Sequence, residues 1–176
     1  MTKIYIIGHN NIDTYAVGLK LQELNDGLSV SSKFTTNPNN INEYHYYLDK
    51  ETVNISYKNN SLITVVTNDN ESIGITYDDY YNNDIFCMSL VEFNMLPDKI
   101  LKEENLENIT NLVIWVDSSD NVDKSDIEEA SYVEARLENL TYLYFCNEQY
   151  DQIAEILYKF LRADDFEQQQ ILEEYS

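Results

Sequence analysis

Two residues near the N-terminus, His9 and Asp13, have side chains of the kind that bind divalent metals. They lie in the polar segment HNNID, which follows Gly8 and the apolar run at residues 3–7. A third such residue, Asp117, ends a second apolar run, NLVIWVD. Carboxylates and imidazoles supply the charge and basicity that such a cation needs. Ligands of open parallel α/β sheets usually bind just beyond the carboxyl ends of strands, so we place the candidate site at these two ends.

The segments around these residues alternate between strand and helix patterns. Residues 3–7 indicate a strand, and after the turn the apolar residues Val17, Leu21 and Leu24 recur at helical spacing. The same alternation returns in the C-terminal half of the chain. It predicts an α/β fold, a three-layer sandwich with a mainly parallel sheet. We assign residues 1–162 to a single domain and residues 163–176 to an acidic tail, either a short helix or disordered.

The middle of the chain departs from this alternation. The β-prone runs TVNISY and SLITVVT flank the sequence KNN, which is typical of a turn. This pattern predicts an antiparallel β-hairpin at residues 52–67, inserted in the domain or lying on its edge. The run LSVSSKF predicts a second strand before it and ESIGITY a further strand after it, and YDDYYNND at residues 77–84 predicts a polar, aromatic loop.

The C-terminal half shows a clearer order of elements. IFCMSLVEF begins as a buried strand, and Pro97 is suited to start a helix that runs to about Asn108. Ser125 and Glu128 form a capping-box pattern, and TYLYFC indicates another strand. Two helical faces are apolar: Ile127, Ala130, Val133, Leu137 and Leu140 on the first, and Ile153, Ile156, Leu157, Phe160 and Leu161 on the second.

The first turn does not form a standard nucleotide-binding loop. Residues 8–15 have the length of the motif GxxxxGK[ST], but Asp13, Thr14 and Tyr15 occupy its final Gly, Lys and Ser/Thr positions. The lysine that contacts phosphate is therefore missing, and the acidic Asp13 lies in the segment that would surround the phosphate. A dinucleotide fingerprint also fails, because the turn has no second glycine.

The segment GHNNIDTYAVGLKL resembles the first motif of the DHH phosphoesterase superfamily. That superfamily includes family II inorganic pyrophosphatases, short-oligonucleotide nucleases and single-strand exonucleases, whose first motif has the form GHxxPDxDxxxS. Gly8, His9, Asn11 and Asp13 agree with it. IFCMSLVEF and NLVIWVDSSD are similar to the second and third motifs, which are strands ending in Asp and in Asp-His-His. The resemblance covers residues 3–24 well and residues 85–120 loosely.

The resemblance implies a site with two divalent metals, commonly manganese, and a bridging water that attacks the phosphoester. His9, Asp13 and Asp117 keep ligand positions of the family. Other ligand positions are changed: they hold Tyr15, Ser89, Ser118 and Ser119. The family's second, substrate-gripping domain has no room in a chain of 176 residues.

These losses favour a catalytically degenerate protein that works as a protein-binding or structural module without a cofactor. Asp13 would then cap the first helix, His9 would hydrogen-bond in the turn, and Tyr15 would fill the former metal pocket. The alternative is a reduced phosphoesterase acting on short oligonucleotides or small phosphoesters. It would hold Mn²⁺ or Mg²⁺ with His9, Asp13 and Asp117, supplemented by Asp120, Asp123 or a partner chain.

Charge and composition limit the classes of binding partner expected for this protein. The net charge of −21 and the scattered 11 Lys and Arg residues argue against direct binding to nucleic acid or an anionic membrane. A second alternative is an acidic DNA mimic that blocks a DNA-binding protein.

Cys87 and Cys146 lie in apolar runs and are expected to be buried thiols in a reducing, cytoplasmic compartment. We expect no secretion signal, because MTKIYIIGH lacks an adequate apolar stretch and a cleavage site. The abundance of Tyr, Asn and Ile is typical of an AT-rich genome such as a viral one. Another protein is the expected partner, and the oligomeric state is left open.

Overall fold

The computed structural model describes residues 2–101, 110–120 and 124–176. Its strands are β1 (Thr2–Gly8), β2 (Lys33–Thr35), β3 (His45–Tyr47), β4 (Leu62–Asn68), β5 (Glu71–Thr76), β6 (Ile85–Ser89), β7 (Thr110–Asp117) and β8 (Thr141–Cys146). Its α-helices are α1 (Thr14–Leu24), α2 (Lys50–Lys58), α3 (Tyr77–Asn82), α4 (Leu90–Met95), α5 (Asp98–Leu101), α6 (Lys124–Leu137), α7 (Tyr150–Arg162) and α8 (Asp165–Tyr175). A short 3-10 helix, Pro38–Asn40, follows β2.

A four-stranded parallel sheet in the order β6-β1-β7-β8 is the centre of the molecule. Strand β1 pairs with β6 on one side and with β7 on the other, so its apolar residues are buried on both faces. Continuous apolar runs are typical of such central parallel strands. The register places Gly8 beside Ser89 and Val116, so the ends of these three strands meet at one edge.

Side chains alternate between the two faces of this sheet and build two separate cores. Ile4 and Ile6 point to the face covered by α1, α7 and α8. Tyr5 and Ile7 point to the face covered by α4, α5 and α6. The predicted α/β fold with three layers and a mainly parallel sheet is therefore confirmed.

A second, mixed sheet in the order β3-β2-β5-β4 contains the second half of the segment predicted as a hairpin at residues 52–67. That prediction is wrong in its first half, because TVNISY lies in helix α2. Asp49 caps this helix by accepting from the Thr52 N–H at 2.8 Å, and a local cap of this kind outweighs the β preference of Val and Ile. The hairpin is formed instead by β4 and β5, and Asp69 in its turn has a φ of 45°.

Residues 77–82 form helix α3 and not the predicted loop. The Thr76 side chain accepts from the Asp79 N–H, and the Asp79 carboxylate accepts from the Thr76 N–H. This capping box satisfies the exposed donors of a short helix that is otherwise rich in poor helix formers. Tyr80 is buried and packs against Phe86 of the parallel sheet. The predicted further strand ESIGITY is confirmed as β5, whereas the strand predicted at LSVSSKF is reduced to β2.

The C-terminal elements follow the predicted order. Helix α5 begins after Pro97 as expected, and the rest of the predicted helix to Asn108 lies outside the described residues. Helix α6 is already formed at Lys124, so Ser125 sits inside its first turn and not at the predicted cap. Ile127 is 57% exposed although it was expected on the buried face.

The C-terminal segment after residue 162 forms helix α8. Its Tyr175 ring lies 4.8 Å from the ring of Phe145 in β8, centroid to centroid, and this contact packs the helix against the core.

The two cysteines differ in exposure. Cys87 is buried, and burial raises the pKa of its thiol to about 12. Cys146 is exposed, which corrects the expectation that both are buried, because it ends an outer strand. No helix in the described ranges has the length and apolar character needed to cross a membrane.

Candidate functional site

The turn between β1 and α1 is built around Gly8 and His9. A Cβ at Gly8 would lie 2.8 Å from Cγ2 of Ile12, so only glycine fits where the turn closes on itself. The His9 carbonyl accepts from the Ile12 N–H at 2.9 Å. The His9 side chain is directed inward, and the residue is only 7% exposed.

Asp13 is the N-cap of α1. One carboxylate oxygen accepts from the Ala16 N–H at 3.1 Å, and the Asp13 N–H donates to the Tyr150 hydroxyl at 3.1 Å. The residue is exposed. The predicted capping role of Asp13 is therefore seen, and its carboxylate is used to satisfy the helix terminus.

His9 and Asp117 are brought together across the strand ends. His9 Nε2 lies 3.2 Å from Asp117 Oδ1, and the same carboxylate accepts from the Ser118 N–H at 2.7 Å and the Tyr144 hydroxyl at 2.8 Å. Burial and the Asp117 charge raise the pKa of Tyr144, so its phenol stays protonated. Nδ1 of His9 lies 3.8 Å from Asp126 Oδ1, which is too long for a hydrogen bond.

The Tyr15 side chain packs toward the second sheet. Its ring stacks on Tyr44 with centroids 4.7 Å apart, and Nζ of Lys33 lies 5.6 Å from the ring centroid. The hydroxyl is buried and has no hydrogen-bond partner among residues 2–101, 110–120 and 124–176. Burial raises the pKa of Tyr15, with the nearby Cys87 as the next cause, so the phenol is neutral.

The three serines that the sequence comparison aligned with ligand positions have structural partners. Ser89 caps α4 by accepting from the Glu92 N–H at 3.3 Å. The Ser118 hydroxyl accepts from the Asp120 N–H at 3.3 Å, and the Ser119 hydroxyl accepts from the Asn147 side-chain amide at 2.9 Å. Each hydroxyl therefore stabilises a loop or a helix start.

The structure brings together only part of the predicted ligand set. His9 and Asp117 are in contact, whereas Asp13 is engaged at the helix cap. Within the described part of the chain, no three His, Cys, Asp or Glu side chains form a group that could hold a metal. Asp123, suggested as an additional ligand, lies outside the described residues.

A buried ion pair that the sequence analysis missed lies beside Tyr15. Lys33 Nζ is 2.8 Å from Glu92 Oε1, and both side chains are more than nine-tenths buried. The Glu92 carboxylate also accepts from the Ser89 N–H at 2.7 Å. The spacing of Ser89 and Glu92 is that of a capping box, which is a readable signal for this glutamate. No sequence signal points to its partner Lys33, because the two are joined only by the fold.

Two cavities adjoin Asp117. The first, of about 750 Å³, lies beside the loop after β7 and the start of α7, with Ser119, Asn147 and Tyr150 among its lining residues. The second, of about 670 Å³, lies between α6 and strands β7 and β8 and is bounded by His9.

No family model matches this chain, and no curated protein matches it. Among solved structures, the fold is similar to the crystal structure of guanylate kinase from Anaplasma phagocytophilum. The TM-score is 0.55 at 15% sequence identity, over 92% of this chain and 84% of that chain. At this identity the likeness concerns the α/β fold alone.

Proposed function

We propose that this protein is a catalytically degenerate, DHH-like protein that works by binding another protein or as a structural module. The observation that carries the proposal is the engagement of the site residues in structural contacts. Asp13 caps α1, and Tyr15 stacks on Tyr44 with its hydroxyl buried. Asp13 Oδ1 is used in the cap, and no three His, Cys, Asp or Glu side chains in the described ranges form a group that could hold a metal.

The first turn of this chain differs from a phosphate-binding loop, which bears on the kinase activity named for the structurally similar protein. By its name, that protein is a kinase that acts on guanylate. Phosphoryl transfer depends on positive groups that hold the phosphates, and Thr14 occupies the lysine position of a phosphate-binding loop in this chain. The Asp13 carboxylate at the mouth of the turn would repel a phosphate.

A protein partner is supported by exposed apolar and aromatic side chains. Tyrosine is enriched at interfaces because it combines apolar area with a polar tip. The exposed large residues include Ile41, Ile55, Tyr57, Tyr81, Ile127, Tyr132 and Phe166. The net charge of −21 favours a partner with a basic surface.

The test is a pair of measurements on the full chain and on the double variant His9→Ala/Asp13→Ala. Manganese is titrated calorimetrically, and hydrolysis of pyrophosphate and of a short oligonucleotide is assayed with Mn²⁺ and with Mg²⁺. We expect the wild type to bind manganese no more tightly than the double variant does. We also expect the wild type to hydrolyse both substrates no faster than the variant. Turnover that is lost in the double variant would overturn the proposal.

The reduced phosphoesterase remains the second candidate because His9 and Asp117 are in contact at 3.2 Å. An imidazole and a carboxylate at this distance are two ligands for one ion. This candidate predicts that manganese raises Tm by mass action in the wild type and that Asp117→Asn removes the shift. An unchanged Tm in saturating manganese would exclude it.

A further inference from the structure

The second cavity, between α6 and the outer strands, has the composition of a binding site. Its apolar and aromatic walls are made of Ile127, Ala130, Leu137, Trp115, Tyr142 and Tyr144. The rings of Trp115 and Tyr144 meet edge to face with centroids 5.5 Å apart. A volume of about 670 Å³ lies in the range of pockets that hold small ligands or a large side chain.

Two buried nitrogen atoms of the lining residues have unmet hydrogen-bonding capacity. Nδ1 of His9 and Nε1 of Trp115 have no hydrogen-bond partner among the described residues, and the two residues are 7% and 5% exposed. A buried polar atom without a hydrogen-bond partner destabilises the folded state, so a ligand that supplies the missing bond gains affinity. Because the indole N–H can only donate, a ligand that satisfies it must carry an acceptor oxygen or nitrogen.

The charged residues of the cavity are acidic. Asp117, Glu134 and Glu138 line it, and none of the lining residues that the structure describes is Lys or Arg. Glu134 lies near the end of α6 and Glu138 directly follows its last residue, Leu137, and both residues line the cavity. These charges repel phosphates and carboxylates and attract a cation.

We propose that this cavity binds an arginine side chain from a basic segment of a partner protein. The guanidinium stacks on the Tyr144 ring and donates to the Glu134 and Glu138 carboxylates. A backbone carbonyl of the same segment accepts from the Trp115 N–H, which a bare cation cannot do. Ile127, exposed at the rim, contacts the apolar stem of the bound side chain.

This inference rests on the proposed function, since it names the chemistry of the protein partner. The probe is an acetylated and amidated tetra-arginine peptide, titrated into the full chain. Trp115 is the only tryptophan, so its fluorescence and its single indole N–H resonance report on the cavity alone. We expect saturable binding, a shift in emission, and a downfield shift of the indole proton as it gains an acceptor.

The matched variants are Glu134→Gln/Glu138→Gln in the cavity and Glu51→Gln/Glu155→Gln on α2 and α7. All four glutamates are exposed, so neither variant is expected to impair folding, which thermal melting checks. The cavity variant is expected to weaken peptide binding about tenfold or more, and the control variant to change it less than about twofold. A lysine peptide of equal length is expected to bind more weakly, because ammonium lacks the planar stacking surface.

Three results would overturn the inference: no saturable binding, equal weakening in both glutamate variants, or equal affinity for free spermine. The second result would mean attraction to the net charge, and the third would mean a cation site without peptide recognition. None of these results decides the proposed function, which the turnover assay tests separately. Metal-dependent turnover in that assay would overturn the proposed function, regardless of the result of the peptide titration.

Discussion

At the residue scale, the Lys33–Glu92 pair joins the second sheet to the parallel sheet. Lys33 belongs to β2 and Glu92 to α4, directly after β6. Removing two charges from water is costly, so such a pair is tolerated only with good geometry and additional hydrogen bonds. Here the distance is 2.8 Å, and the Ser89 N–H supplies a further bond to the carboxylate.

Replacing Lys33 with methionine is expected to lower the free energy of unfolding by about 3–5 kcal/mol, because it leaves the Glu92 carboxylate buried without a counter-charge. Urea denaturation followed by circular dichroism measures the loss. Lys58→Met, at an exposed position on α2, is the matched control and should change stability by less than about 0.5 kcal/mol. Equal effects of the two substitutions would show that the Lys33–Glu92 pair contributes little.

His45 makes the stability of the second sheet depend on pH. Burial, assisted by the nearby Lys33 charge, lowers the pKa of His45 below its usual 6.5. The unfolded chain therefore binds this proton more readily than the folded one. The stability is fully present above pH 6.5 and is lost as the pH falls through the lowered pKa of the folded state.

We therefore expect the wild type to lose stability relative to His45→Gln as the pH is lowered below 6.5. The measurement is the difference in Tm between the two proteins across the acidic range. Carboxylates that titrate in the same range affect both proteins and cancel in this difference. A pH-independent difference would contradict the lowered pKa.

At the element scale, β5 lies against its neighbours at Gly74. A Cβ there would be 2.0 Å from the Thr64 carbonyl oxygen and 2.8 Å from Cζ of Phe34. The first contact is with backbone of the adjacent strand, which a rotamer change cannot relieve. This close approach holds β5 between β2 and β4 and fixes the register of the hairpin.

Gly74→Ala is expected to destabilise the protein by about 1–3 kcal/mol or more, as over-packing does in other interiors. Gly27→Ala is the control, because its Cβ would meet only Oδ1 of Asn25 at 3.4 Å. Thermal melting of both variants distinguishes them. Equal melting temperatures for Gly74→Ala and Gly27→Ala would mean that β5 and β4 move apart without loss of stability. That result would contradict the close packing described here.

The order of elements explains which strands the sequence predicts well. The strands of the parallel sheet are marked by continuous apolar runs, which need no knowledge of their neighbours. In the second sheet, β2 and β3 have only three residues each, and β4 and β5 contain polar residues, so the arrangement of this sheet depends on caps and pairing partners. The Asp49 cap decides that residues 50–58 are helical, and the pairing of β4 with β5 decides where the hairpin lies.

At the scale of the whole molecule, charge repulsion opposes folding. The chain carries 32 Asp and Glu residues against 11 Lys and Arg, a net charge of −21. Repulsion among exposed carboxylates is greatest at low ionic strength, where the screening length is long. The compact state suffers more from it than the expanded unfolded chain.

Raising NaCl from about 20 mM to about 500 mM is therefore expected to increase Tm by several degrees, since ~1 kcal/mol corresponds to roughly 2–4 °C in chains of this size. Differential scanning calorimetry measures the change. Potassium chloride at equal ionic strength should give the same increase, because screening does not depend on the identity of the cation. A decrease in Tm would show that attractive surface pairs outweigh the repulsion.

The sequence by itself determined the α/β class, the central parallel strands and the position of the first turn, because these follow from local hydrophobic patterns. It also indicated that Asp13 is suited to cap α1, which is a local interaction. Only the tertiary structure decided which distant residues meet. The sequence already placed His9 and Asp117 in one candidate site, and the structure shows their contact. The stacking of Tyr15 on Tyr44 and the Lys33–Glu92 pair, by contrast, join residues whose meeting no sequence pattern predicted. Such contacts depend on how whole elements pack, and no local pattern encodes that.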